Sequence, residues 1–173
     1  MPRIIVALGS NLGDRVGQIS AAVESLAQVL SIGSVSSAYA TDPMYVLDQP
    51  EFVNACLSAS TEFGPREILG HLKRIEAEIG RQPRVRNGPR EIDLDLIAFG
   101  SLRYLYREDD VDRLQIPHPL LAERAFVLKP LAEIFPDFNI PGLGNVSELL
   151  ANLGGAADSA RVILDAALPL HRR

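Results

Sequence analysis

The first hundred residues change hydrophobic period in a fixed order, strand to helix to strand twice over, and few folds accommodate that order. Ile4 to Leu8 is an unbroken β-prone run closed by Gly9, the pattern of a central strand buried on both faces. Val16, Ile19, Ala22, Val23, Leu26 and Val29 or Leu30 then recur at three and four residues behind the capping candidate Asp14. This predicts a helix from about Arg15 to Leu30, ended at Gly33. Val35 to Ala40 reads as a second strand, and a polar loop from Thr41 to Pro50 leads to a third, Phe52 to Phe63, with Val53, Ala55, Leu57 and Ala59 on one side. Pro65 opens a second helix that runs to Gly80 on Ile68, Leu69, Leu72, Ile75 and Ile79, and Glu91 to Phe99 is strand again. The order βαββαβ is that of an α+β, ferredoxin-like sandwich. Right-handed crossovers put both helices on one face of the sheet and leave the other open, to be partly covered by the C-terminal third.

Beyond Gly100 the prolines at 117, 119, 130, 136 and 141 mark short elements and turns, with one more short helix over Val146 to Leu153. We read residues 1–153 as one domain and 154–173 as a C-terminal tail, since 173 residues suffice for a single core. A net charge of −5 argues against a protein that coats nucleic acid or an anionic membrane, so any bound anion needs a local basic cluster. The one cysteine, Cys56, has no partner for a disulfide, and the N-terminus carries no signal-peptide pattern, so the expected location is the reducing cytoplasm.

The stretch Gly88-Pro89-Arg90-Glu91-Ile92-Asp93-Leu94-Asp95-Leu96 is the most informative for chemistry. Strand alternation sends Ile92, Leu94 and Leu96 toward the helices and puts Glu91, Asp93 and Asp95 on the other face, the two aspartates about 7 Å apart. Hard oxygen ligands so placed suit Mg²⁺ shared with a phosphorylated substrate. The competing reading is a solvated strand face; a glycosidase-like acid and base pair fits less well, because nothing distinguishes the two carboxyl environments. Lys73, Arg74, Arg81, Arg84, Arg86 and Arg90 gather six of the 17 basic residues just before these aspartates, and arginine forks match phosphate oxygens. For Lys73 and Arg74 a solvated helix end is the preferred reading. Phe52 and Asn54 share the open face of their strand, and an aromatic plane beside an amide suits a flat heterocycle. His118, held between Pro117 and Pro119, is followed by Arg124 and Phe126; the first two could meet phosphate. Gly9 to Asp14 lacks the ending of a P-loop and reads as a tight turn capped by Asp14.

Together these segments resemble the 6-hydroxymethyl-7,8-dihydropterin pyrophosphokinases. The carriers are ALGSNLGD at Ala7 to Asp14, the Thr41 to Asn54 segment with DQPEFVNA, RIEAEIGR at Arg74 to Arg81, GPREIDLDL at Gly88 to Leu96, and IPHPLLAERAFVLKPL at Ile116 to Leu131. The resemblance implies transfer of pyrophosphate from ATP to the pterin alcohol with loss of AMP, in folate biosynthesis. It implies two Mg²⁺ ions on Asp93 and Asp95 and catalytic roles for these and for Arg81 and Arg90. Phosphate or nucleotide contacts fall to Glu76, Arg81, Arg84, Arg90, Arg113, His118 and Arg124, with Arg84 and Arg86 on a mobile loop. Phe52 and Phe126 match the rings that sandwich the pterin; Asn54 reads its edge, with Thr41, Pro43 and Met44 beside it. The implied partners are ATP and the pterin, with no nucleic acid and no membrane, for a monomer.

The resemblance further implies in-line attack of the pterin hydroxyl on the β-phosphorus, with no covalent nucleophile. Asn87 and Pro119 depart from a tryptophan and a tyrosine carried by some members. The rival from another class is a non-catalytic module that binds a heterocycle or RNA; it would need neither Asp93 nor Asp95, and the acidic charge counts against RNA.

Overall fold

The computed structural model describes every residue except Arg86, 164–167 and 169–173, with the side chain of Val162 also left aside. Its central sheet is antiparallel and carries strands β1 (Arg3–Ser10), β2 (Ser31–Val35), β3 (Tyr39–Thr41), β4 (Phe52–Ser60), β5 (Asp93–Phe99) and β10 (Ala160–Val162). The path across it is β10-β3-β4-β1-β5, with β2 also paired to β4. Helices α1 (Arg15–Ala27) and α2 (Pro65–Ile79) cover one face. Against them pack Ile4, Val6, Leu8, Val53, Ala55, Leu57, Leu94 and Leu96, the alternate residues of three neighbouring strands, together with Ile92. The periodic helix positions Ile19, Val23, Leu26, Ile68, Leu72 and Ile75 complete this core.

The other face carries Ile5, Cys56, Ile97 and Ala98, covered by Val127, Leu128 and Leu131 of α3 (Ala125–Ile134) and by Val146 at the start of α4 (Val146–Asn152). This cover stops short of one end of β4, β1 and β5, and a cavity opens there. Strands β6 (Tyr104–Glu108) and β7 (Val111–Ile116) form a separate hairpin, and β8 (Asn139–Ile140) pairs with β9 (Gly144–Asn145). Among the described residues no helix is long and apolar enough to cross a membrane.

Several expected boundaries shift. α1 ends at Ala27, and Gly33 lies inside β2, where the register slips between Ile32 and Ser34. The reason is local: the Ser58 hydroxyl accepts from the Ser34 N–H at 3.1 Å, and a Cβ on Gly33 would stand 3.0 Å from that oxygen. The single strand expected over Val35 to Ala40 is instead the end of β2 and the start of β3, separated by Ser36, Ser37 and Ala38. The serine hydroxyls there bind backbone or Glu133 rather than extending a ladder. β4 stops at Ser60 and β5 begins at Asp93. In the segment expected to hold only short elements, α3 runs ten residues through Pro130. Residues 160–162 of the tail join the sheet, and much of the remaining tail lies outside the described residues.

Candidate active site

Three neighbouring strands set out the floor of the cavity. Across the sheet, Asn54 of β4, Gly9 of β1 and Asp93 of β5 stand in one row, and Cys56, Ala7 and Asp95 in the next. The middle strand thus contributes the two smallest residues, so the amide and the carboxylates face one cavity about 10 Å apart, two strand spacings. Gly9 is required by contact: a Cβ there would lie 2.8 Å from Asn54 Oδ1. Asn54 is nearly buried and donates through Nδ2 to Thr41 Oγ1 at 2.6 Å. The cavity, about 440 Å³, is lined also by Phe52, Phe126, Met44, Tyr45, Gln49, Lys73, Arg81, Arg84, Arg90 and Arg124. Its size suits a small heterocycle with part of a nucleotide.

The carboxylates differ in environment, a distinction the sequence alone does not supply. Burial works against the charge on Asp93, but Arg90 and Arg81 more than offset it and hold its pKa below the usual range. Arg81 Nη1 lies 2.6 Å from Asp93 Oδ1 and Arg90 Nη2 2.9 Å from Oδ2. Asp95 has Arg124 at 3.9 Å and feels the charge of Lys73, but burial at the cavity floor together with the charge of Asp93 outweighs both and pushes it up to about 6. Its side chain remains 38% exposed through the cavity mouth.

The arginines also cover the rings. The Arg90 guanidinium sits 5.1 Å from the centroid of Phe52, and Arg124 lies 5.5 Å from Phe126 and 5.8 Å from Tyr45. Among the described residues Arg90 Nε is buried with no hydrogen-bond partner. Asn11, almost fully buried, fixes both rims: it accepts from the Arg90 N–H at 2.8 Å and donates to Gln49 Oε1 at 3.1 Å and to the Pro50 carbonyl at 3.0 Å. Gln49 in turn donates to the Asn87 carbonyl at 3.1 Å. Asn87 has φ of 60°, a left-handed conformation that asparagine tolerates and tryptophan does not favour.

Not every candidate faces this cavity. Glu76 lies beneath the floor, its carboxylate accepting from Lys73 and the Leu94 N–H and ion-paired with Arg81. Arg113 is exposed on the β6–β7 hairpin, 3.6 Å from Glu108, and is not among the lining residues. His118 lies outside the lining as well. Burial first, then the charge of Arg124, lowers its pKa to about 4 against the pull of Asp93, so the ring is neutral at pH 7. Its Nδ1 accepts from the Leu120 N–H at 3.2 Å, which leaves the proton on Nε2. Arg84 lines the rim, paired with Glu91 at 2.6 Å; Pro43 is beside the lining but not in it, and Arg86 is outside the described residues. Lys73 keeps half of its side chain in solvent, as the solvated reading expects, yet it also lines the cavity and acts on both aspartates. The signal was its place three residues before Glu76, on the same helix face. Arg74 stays at the surface with Glu78.

Residues 5–136 match the family model of 7,8-dihydro-6-hydroxymethylpterin-pyrophosphokinase. The chain is 40% identical to the 2-amino-4-hydroxy-6-hydroxymethyldihydropteridine pyrophosphokinase of Pseudomonas aeruginosa, over 86% of this chain and 90% of that one. It is also 40% identical to the mitochondrial folate synthesis bifunctional protein of Pisum sativum, over 76% of this chain but 25% of that longer one. Among solved structures it resembles wild-type HPPK-DHPS of Plasmodium falciparum, with a TM-score of 0.71 at 14% identity, over 87% of this chain and 44% of that one. That likeness speaks for the fold alone. The chain belongs to the 7,8-dihydro-6-hydroxymethylpterin-pyrophosphokinase family, and it transfers a pyrophosphoryl group to hydroxymethyldihydropterin in folate biosynthesis.

Proposed function

We propose that the pyrophosphoryl donor is ATP, bound with two Mg²⁺ ions at Asp93 and Asp95, and that the pterin lies between Phe52 and Phe126 with its edge on Asn54. The observation that carries this reading is the row Asn54, Gly9, Asp93: a heterocycle on the amide presents its substituent across a side-chain-free strand toward the carboxylates. The order β5-β1-β4-β3 supports the finer description of the fold as a ferredoxin-like sandwich.

The donor set suits the metal. Among the described residues no three acidic, histidine or cysteine side chains converge, and Mg²⁺ characteristically takes one or two carboxylates and completes its shell with water and phosphate. When bound, the ions would neutralise charge on the phosphates and favour in-line displacement at phosphorus. The protein's own part is positional. Arg81 and Arg90, held on Asp93, and Arg124, near Asp95, stand where a triphosphate would enter and can exchange a carboxylate for phosphate oxygens. The same exchange would lift Arg90 and Arg124 from the rings and free both faces for stacking. Asn54, pinned by Thr41 at 2.6 Å, orients the pterin hydroxymethyl group toward the donor. His118 would contribute its Nε2–H to phosphate, and Arg84 and Arg113 the outer charge. The proposal includes a monomeric, cytoplasmic enzyme; the lone buried thiol of Cys56 fits a reducing compartment.

The bond that breaks is the decisive experiment. Attack on the β-phosphorus leaves AMP, whereas γ-phosphoryl transfer leaves ADP. Phosphorus NMR of a reaction with ATP, Mg²⁺ and hydroxymethyldihydropterin should show one AMP per pterin consumed; ADP with a monophosphorylated pterin would refute the reading. A second expectation concerns stacking. Phe52→Ala and Phe126→Ala should each weaken pterin binding by about 1–3 kcal/mol while ATP affinity changes little. Equal loss of both ligands in calorimetry would make the rings structural.

A further inference from the structure

We propose that the C-terminal strand β10 is a positioning strap for the pterin site. This inference deepens the reading above and rests on its assignment of Thr41, Asn54, Phe52 and Phe126 to the pterin. β10 lies outside the residues that match the family model. Yet it pairs Ala160 with Thr41, Arg161 with Ala40 and Val162 with Tyr39, and the Ile163 N–H continues the contact to the Ala38 carbonyl at 2.8 Å.

β3 has three residues and is held on its inner side by three pairings to β4, one of them Tyr39 with Asn54. A strand that short at a sheet edge has little to keep it in register. β10 makes it an interior strand, and Thr41, whose hydroxyl fixes the Asn54 amide, becomes almost fully buried. The strap reaches the two rings as well. Arg161 forms a short ion pair with Glu51, the residue before Phe52, and Arg15 holds the same residue by its backbone carbonyl at 2.7 Å. On the other side Lys129 donates to the Ala157 and Ala160 carbonyls at 3.1 and 2.7 Å. Lys129 belongs to α3, one turn after Phe126. The amide, its hydroxyl partner and both rings are thus referred to one three-residue strand; its contacts with Glu51 and Lys129 do not include Asp93, Asp95 or Arg81, and Arg90 meets the same network through the ring of Phe52.

The strap should therefore affect the pterin and spare ATP. Arg161 is largely exposed, so its variants should fold. Arg161→Gln should raise the pterin KM by about two- to fivefold, the scale of an exposed ion pair, and Arg161→Lys should restore most of it. Arg161→Glu, opposite Glu51, should raise it further, with kcat and the ATP KM near parental values. Amide hydrogen exchange at Tyr39 to Thr41 should quicken in Arg161→Glu whether or not pterin turns over. That readout separates the two proposals: a parent enzyme that makes no AMP with the pterin defeats the functional reading, and unchanged exchange in Arg161→Glu defeats the strap. An unchanged pterin KM in Arg161→Glu, or equal rises for pterin and ATP, would also overturn it.

Discussion

Asp95→Asn should abolish most turnover and at the same time make the ligand-free protein more stable above pH 6. Loss of activity follows from the loss of a carboxylate in a two-carboxylate donor set; a metal contact contributes several kcal/mol to the transition state, about a thousandfold or more in kcat. The stability gain follows from linkage. In the folded protein burial, aided by the charge of Asp93, raises Asp95 to about 6 from the 3.8 of a free carboxyl. Between pH 4 and 6 the folded state therefore binds more proton than the unfolded one, and stability falls as pH rises through this window. Above pH 6 the penalty is fully present, and the neutral amide lacks it. Because the side chain is 38% exposed, solvent screening reduces the gain to about 1 kcal/mol. That is about 2–4 °C in Tm for a chain of this size. Melting curves in chelator at pH 4 and pH 8 provide the check: the variant should melt above the parent at pH 8 and with it at pH 4. A well-folded variant with near-parental kcat at ordinary Mg²⁺ would refute the metal assignment. A lower Tm at pH 8 would mean that the Arg124 contact outweighs the repulsion from Asp93.

Asp93→Asn should lose turnover on the same scale without that gain. Its charge is stabilised by Arg81 and Arg90, and neutralising it leaves two partly buried guanidinium groups short of a partner. The two aspartates are equivalent by strand period, and the arginines around them decide the difference. This marks the limit of what the sequence discloses. Period two places Asp93 and Asp95 beside each other and Phe52 beside Asn54, because alternation is a property of backbone geometry. The burial of Ile68, Leu72 and Ile75 is equally legible from the helical period. The β6–β7 hairpin is not: its turn is Asp109-Asp110, with φ of 50° and 59°, positions usually marked by glycine or asparagine. The break between β2 and β3 is hidden for a similar reason, since the segment 36–38 holds no proline or glycine; Ser36 still donates its N–H to the Cys56 carbonyl, but its hydroxyl takes the place of its carbonyl as acceptor for the Cys56 N–H, and Ser37 turns to Glu133. The role of β10 depends on contacts more than a hundred residues apart, such as Arg161 with Glu51, which no local pattern encodes.

Glu76 shows how a periodic reading can go one step further and gives the largest expected effect on stability. It follows Ile75 and lies four residues after Leu72, so the period that buries those two also turns Glu76 inward, where its side chain is 4% exposed. A carboxylate so placed must be compensated. It accepts from the Leu94 N–H at 2.7 Å, lies 2.7 Å from Arg81 Nη1 and accepts from Lys73 Nζ at 2.9 Å. Through Leu94 it grips β5 between the two aspartates, and through Arg81 it sets the guanidinium that meets Asp93. Glu76→Ala should cost about 2–3 kcal/mol, because it leaves the buried Leu94 N–H without its acceptor and takes one carboxylate from Arg81, which keeps Asp93, and from Lys73, which is half exposed. That corresponds to a fall of about 4–12 °C in Tm. Glu76→Gln keeps an acceptor for Leu94 and should lose clearly less stability. Both variants should lower kcat, because Arg81 and the Asp93–Asp95 pair lose their common anchor. A direct nucleotide ligand would behave differently: it would leave Tm within about 2 °C of the parent and reduce ATP affinity alone. Thermal melts of the two variants, read beside ATP titrations, therefore decide whether Glu76 holds the site together from below or touches what the site binds.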